Sequence, residues 1–112
     1  MRPDPQRACA VGDVPEEGAL RVVLGGLPVC VARSGGEVFA ISDVCSHADV
    51  SLSEGDVEDG RIECWLHGSL FDLRTGAPDG LPAITPVPVY ALSRDGDDVL
   101  VDVAATAPTT RP

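Results

Sequence analysis

Cys45-Ser46-His47-Ala48 and, with sixteen residues between His47 and Cys64, Cys64-Trp65-Leu66-His67-Gly68-Ser69-Leu70-Phe71-Asp72 are the stretches on which the reading of this 112-residue chain turns. The first opens with C-x-H and the second with C-x-x-H. A thiolate is a soft ligand and an imidazole a borderline one, so each half is a two-toothed clamp for a metal. Two groups fit four such donors. A single Zn would take all of them in a tetrahedron. A [2Fe–2S] cluster would divide them, two Cys on one iron and two His on the other. Either half alone is a weak signal; the pair at this spacing is a strong one.

Outward from these stretches the chain reads as short strands. It has Gly 12 and Pro 10 with little helical pattern, a composition of strands joined by turns. Strand-like runs cover Arg7–Val11, Ala19–Leu24, Pro28–Arg33 and Glu37–Ser42, the last three separated by Gly25-Gly26 and Ser34-Gly35-Gly36 as in an antiparallel meander. Residues 43–59 are polar and aperiodic and read as a long functional loop with one helical turn near Ser51–Ser53. Asp59-Gly60 signals a hairpin into strands Arg61–Trp65 and Ser69–Leu73; Arg74-Thr75-Gly76 reads as a turn, and 77–86 as a Pro- and Gly-rich loop. Val87–Leu92 and Asp98–Val103 flank Asp95-Gly96, with Pro88 at an edge or bulge position. Residues 1–6 read as a flexible start and 104–112 as a disordered tail.

The paired motif, Arg74-Thr75-Gly76 after it and Gly80-Leu81-Pro82-Ala83 beyond, together resemble the Rieske family, and within it the small ferredoxins that serve aromatic-ring-hydroxylating dioxygenases. The resemblance runs from about Arg7 to Val103. It implies an all-β domain of stacked antiparallel sheets. A small cluster-binding subdomain would be built from loops at 43–59 and 64–69, under a proline loop at 77–86. It implies one [2Fe–2S] cluster per chain, with Cys45 and Cys64 on the inner iron and His47 and His67 on the outer, surface-facing one, through which electrons pass. Leu66, Ser69, Phe71 and Pro82 would surround the cluster.

Departures from the family pattern carry information. Respiratory Rieske proteins have an extra Cys in each cluster loop and join the two; here Leu66 holds that position in the second loop and the first loop has no second Cys. Ser69 matches a hydrogen-bonding Ser of those high-potential proteins, while Phe71 stands where they have a Tyr. Fewer donors to the sulfurs stabilise the reduced cluster less. The expected potential therefore lies in the lower part of the Rieske range, which spans roughly −150 to +300 mV.

The net charge of −10 argues against nucleic acid and against an anionic membrane surface. No apolar run approaches a membrane span, and the start of the chain has no export-signal pattern, so the expectation is a cytoplasmic protein. Cys9 and Cys30 lie in apolar runs and read as core residues. Trp65 and Leu66 read equally as shields for the cluster or as core. Glu54, Asp56, Glu58 and Asp59 read as a solvated loop or as part of a docking face for a basic partner.

Only two His are present, both in the motif, so the two-His–carboxylate iron site of a terminal oxygenase cannot be built; nor is there a G-x-G-x-x-G fingerprint. What remains is an electron carrier and not an enzyme. The resemblance implies a flavin-dependent reductase as donor and a terminal oxygenase as acceptor, both transient partners. Two alternatives stay open: a Rieske ferredoxin for another redox system (cluster assembly, or a nitrite-reductase-like small subunit), and a structural zinc-binding module.

Overall fold

A computed structural model of the chain describes residues 6–44, 50–65, 68–79 and 86–106, without the side chains of 79 and 103–106. The strands, in chain order, are β1 (Gln6–Ala10), β2 (Gly18–Leu24), β3 (Leu27–Ser34), β4 (Glu37–Ser42), β5 (Val57–Glu58), β6 (Arg61–Glu63), β7 (Leu70–Asp72), β8 (Pro78–Asp79), β9 (Tyr90–Asp95) and β10 (Asp98–Thr106). They form three antiparallel sheets, ordered β1-β10-β9, β2-β3-β4 and β5-β6-β7-β8. The all-β reading holds, including the meander of the middle sheet.

Side chains along a strand alternate between faces, and in β3 both faces are buried. Val29 and Val31 enter one core with Ala40, Leu24, Val14, Cys9, Tyr90, Val99 and Val101. Cys30 and Ala32 enter the other with Ile41, Leu52, Val57, Ile62, Cys64, Phe71, Leu73, Val87 and Val89. The β2-β3-β4 sheet is thus a middle layer between the β1-β10-β9 sheet and the β5–β8 sheet. Full burial of each large side chain, such as Phe71, Ile41 or Ile62, contributes roughly 1.5–3 kcal/mol. The meander closes through Gly25-Gly26 (φ 58° and 83°) and Gly35-Gly36 (φ 59° and 82°), left-handed pairs that match the twist of a two-residue hairpin.

Several boundaries differ from the sequence reading. β1 begins at Gln6 and stops at Ala10, because Val11–Asp13 coil into a 3-10 turn. β6 ends at Glu63, where the chain enters the tight turn beyond Cys64, and β7 covers only Leu70–Asp72. β9 starts at Tyr90 rather than Val87 and runs to Asp95. Pro88 has no N–H to donate; its carbonyl instead accepts from the Ser42 N–H at 2.9 Å, and Val89 makes an isolated bridge with Ile41. The loop read at 43–59 contains β5 and a 3-10 turn at Leu52–Glu54. The loop read at 77–86 contains β8. Strand β10 continues through Thr106, into the stretch read as tail; residues 1–5 and 107–112 lie outside the described residues.

One carboxylate joins the turns of two layers. Glu17 accepts the Gly35 N–H at 2.8 Å and lies 3.0–3.1 Å from the Ser34 hydroxyl. Ser34 Oγ in turn accepts the Gly60 N–H of the β5–β6 turn at 2.8 Å. The bond from Gly35 and then that from Ser34 hold the Glu17 carboxyl below its ordinary value of 4.5. A depressed carboxylate stabilises the fold above its unfolded pKa, and the contribution is lost as pH falls through the folded one. In thermal melts, Glu17→Gln should therefore melt below wild type at neutral pH. The gap should close as pH falls through the lowered value.

Candidate metal centre

Three loops, the first leaving β4 of the middle sheet and the others the β5-β6-β7-β8 sheet (the inner sheet), begin and end at necks held by hydrogen bonds. The first neck follows β4. Val44 bridges Ser51, the Asp43 carbonyl accepts the Leu52 N–H at 2.6 Å, and Asp43 Oδ1 accepts the Ser53 N–H at 2.8 Å. These satisfy N–H groups of the short Leu52–Glu54 turn that have no partner within it. At the second neck the Cys64 N–H donates to the Ser69 carbonyl at 2.7 Å, and the Cys64 carbonyl accepts from Gly68 N–H at 2.8 Å. At the third the Val87 N–H donates to the Gly76 carbonyl at 2.9 Å. Gly76 has φ +76°, and a Cβ there would overlap the Val87 carbonyl oxygen, so the close approach requires glycine.

Leu52, Cys64 and Val87, one from each neck, are packed in the same core. The necks are also tied to one another. Gly55 lies so close to the Glu63 carbonyl that a Cβ would overlap it, and the Glu63 N–H donates to the Asp56 carbonyl at 2.9 Å. Arg74-Thr75-Gly76 is a turn, as read from sequence. Asp72 Oδ1 accepts the Arg74 and Thr75 N–H groups at 2.7 and 3.2 Å, and Arg74 pairs with Glu37 over the Phe39 ring.

Of the four ligand candidates, Cys64 is described; Cys45, His47 and His67 lie outside the described residues, as do Leu66 and Pro82. Cys64 is a free thiol with no exposed surface, walled by the apolar residues of the inner core. Phe71 is fully buried in that core and Ser69 is buried at the second neck. Among the described residues Cys64 suits a [2Fe–2S] group: it offers a soft donor in dry surroundings, on a backbone fixed by its hydrogen bonds to Ser69 and Gly68.

Cys9 and Cys30 are also free and buried, one in each core. Burial pushes both thiols up, and the nearby charges of Asp13 and Asp43 add to it, so both stay protonated core residues as the sequence suggested. Trp65 belongs to neither core and stands 49% exposed, which removes the core-packing reading for it. Val44, beside the other Cys of the motif, is 41% exposed. Glu54, Asp56, Glu58 and Asp59 are exposed, and the last three line one hollow with Arg61, Glu63 and Leu70. No helix is long and apolar enough to cross a membrane among the described residues.

Sequence reasoning missed Asp43 and Gly55. The available signal was an Asp closing an apolar strand shortly before a Ser-Leu-Ser-Glu-Gly stretch, a capping arrangement.

With this geometry in hand, the chain belongs to the Rieske [2Fe-2S] domain family, whose pattern matches residues 4–91. Within that family it is a ferredoxin, an electron carrier rather than a catalytic oxygenase. It is 45% identical over 97 residues to the ferredoxin component of biphenyl 2,3-dioxygenase of Rhodococcus jostii (strain RHA1), covering 87% of this chain and 91% of that one. The ferredoxin of carbazole 1,9a-dioxygenase from Nocardioides aromaticivorans IC177 superposes with a TM-score of 0.82 at 38% identity, over 88% of this chain and 97% of that chain. A chain from a complex of reduced oxygenase and oxidized ferredoxin in carbazole 1,9a-dioxygenase superposes at 0.84 with 31% identity, over 93% and 96%.

Gly55→Ala tests the joining of the first two necks. The added methyl has to displace the Glu63 backbone, so the variant should lose about 3 kcal/mol in urea unfolding with little change in slope.

Proposed function

We propose that Cys45, His47, Cys64 and His67 hold the [2Fe–2S] cluster, and that the chain passes single electrons from a flavin-dependent reductase to a terminal non-haem iron oxygenase acting on an aromatic ring. The observation that carries this reading is the buried, free Cys64 thiol at a neck that shares its core with the neck of the Cys45–His47 loop. The names of the relatives support the partner class: they are ferredoxin components of aromatic-ring dioxygenases, and one superposing chain comes from a complex of oxygenase and ferredoxin.

The bound cluster supplies a site that takes up and gives back one electron. The protein's part is to fix and shield it. Cys64 holds the buried side, on a backbone locked by Ser69 and Gly68. Phe71 and Leu52 keep water from that side. Leu66 and Pro82 are assigned to its surroundings by their place in the motifs. Trp65 and Val44 offer exposed apolar surface next to the two cysteines of the motif, and the acidic hollow of Asp56, Glu58, Asp59 and Glu63 offers charge to a basic partner. Charge of this kind speeds encounter and suits a short-lived complex of small area. We place the protein in the cytoplasm, whose reducing conditions keep Cys9 and Cys30 as thiols.

EPR of the anaerobically reduced protein tests the assignment. A rhombic signal with average g below that of all-Cys [2Fe–2S] proteins is expected, absent in Cys64→Ala. A colourless, zinc-containing, EPR-silent protein would replace the carrier with a structural zinc module. A redox titration should place the midpoint in the lower part of the roughly −150 to +300 mV Rieske range, since Phe71 has no hydroxyl to donate. Electron transfer to an oxygenase should slow by on the order of tenfold between 50 and 500 mM salt. Rates indifferent to salt would remove the acidic face from the docking account.

A further inference from the structure

Asp43 is a charged residue that the electron-carrier reading leaves without a task. It is 1% exposed, and a carboxylate is retained in such a place only when it is paired and hydrogen-bonded. Its partners lie on opposite sides of the first loop. Asp43 itself is the last residue before Val44 and the loop, anchored to the middle sheet by its N–H to the Pro28 carbonyl at 3.2 Å. Oδ2 accepts from Arg21 Nε on β2 at 3.1 Å, and Arg21 is half exposed. Oδ1 reaches across to the returning chain at the Ser53 N–H, 2.8 Å away, beside the Leu52 N–H that the Asp43 carbonyl holds. One residue therefore grips both ends of the segment that contains Cys45 and His47, and Arg21 fixes the direction of the grip.

We infer that Asp43, held in place by Arg21, is the positioning residue of the first cluster loop, setting the distance across its neck so that Cys45 and His47 are presented to the cluster. This rests on the ligand assignment proposed above. The carboxylate also adds a negative charge to the surroundings of the cluster, which lowers the potential because the reduced form is the more negative. Two effects are thus combined in one side chain, and they separate by substitution. Asp43→Asn keeps an oxygen to accept the Ser53 N–H but removes the charge and, with it, the oxygen that accepts from Arg21. Asp43→Ala removes both.

The test is the rate of cluster loss into EDTA, followed by visible absorbance, with EPR and a redox titration on the same as-purified holoprotein. Asp43→Ala should lose its cluster about 10- to 100-fold faster than wild type, the usual effect of removing a group that orients ligands, and should show shifted or broadened g values. Asp43→Asn should return to within about threefold of wild type in loss rate while its potential rises. Wild-type loss rate and g values in Asp43→Ala would overturn the inference, and so would Asp43→Asn losing cluster as fast as Asp43→Ala. If Asp43→Ala gives no folded protein, Arg21→Ala at its half-exposed position decides. Loss about threefold faster than wild type supports the inference, and a wild-type rate overturns it. Wild type that lacks any Rieske EPR signal would instead sink the ligand assignment itself.

Discussion

Strand β3 has both faces buried, and the rest of the molecule follows from that. Its odd-numbered Val29 and Val31 and even-numbered Cys30 and Ala32 serve different cores. A strand buried on both faces reads as a continuous apolar run rather than an alternating one, and Val29 to Ala32 is such a run. Small and β-branched side chains there let two other sheets lie against it. The outer sheet, with β1 and the long β9–β10 hairpin, closes one side. The inner sheet of very short strands closes the other, and with the end of β4 it carries the loops that matter for chemistry.

The short inner strands are a consequence of what they carry. β5 and β8 each cover two residues, and β6 and β7 three. A sheet of that size has little stability of its own, so it depends on the middle layer through Ile62, Phe71 and Leu73 on its side and Cys30, Ala32 and Ile41 opposite. Among the described residues, each loop is held at its neck by hydrogen bonds, and a metal site needs a fixed ligand spacing at that point.

What the sequence shows follows the range of the interactions. The meander was legible because Gly25-Gly26 and Gly35-Gly36 punctuate apolar runs, a purely local signal. The C-x-x-H motif that begins at Cys64 stands out in the sequence because its spacing is local as well. The start of β9 was misplaced because Pro88 gives up the ladder and is held by Ser42, a partner far away in sequence. β5 and β8 were hidden because two-residue strands carry no periodicity. Asp43 escaped for a related reason: its partners Arg21, Pro28 and Ser53 are reached only through the fold. The exposure of Trp65 could not be read either, since a tryptophan beside a ligand is equally at home in a core or on a rim.

That exposure has a practical side. Trp65 is the chain's only tryptophan, next in sequence to Cys64 and open to solvent over about half its surface. All of the protein's indole emission thus comes from the residue adjoining the proposed cluster ligand, so the molecule carries a single built-in optical probe at the place where electrons are proposed to cross. A partner that covers this face removes water from that one ring, while a partner bound to the far β1-β10-β9 sheet leaves it wet. The position of a contact on the surface becomes readable from light emission alone, without attaching a dye.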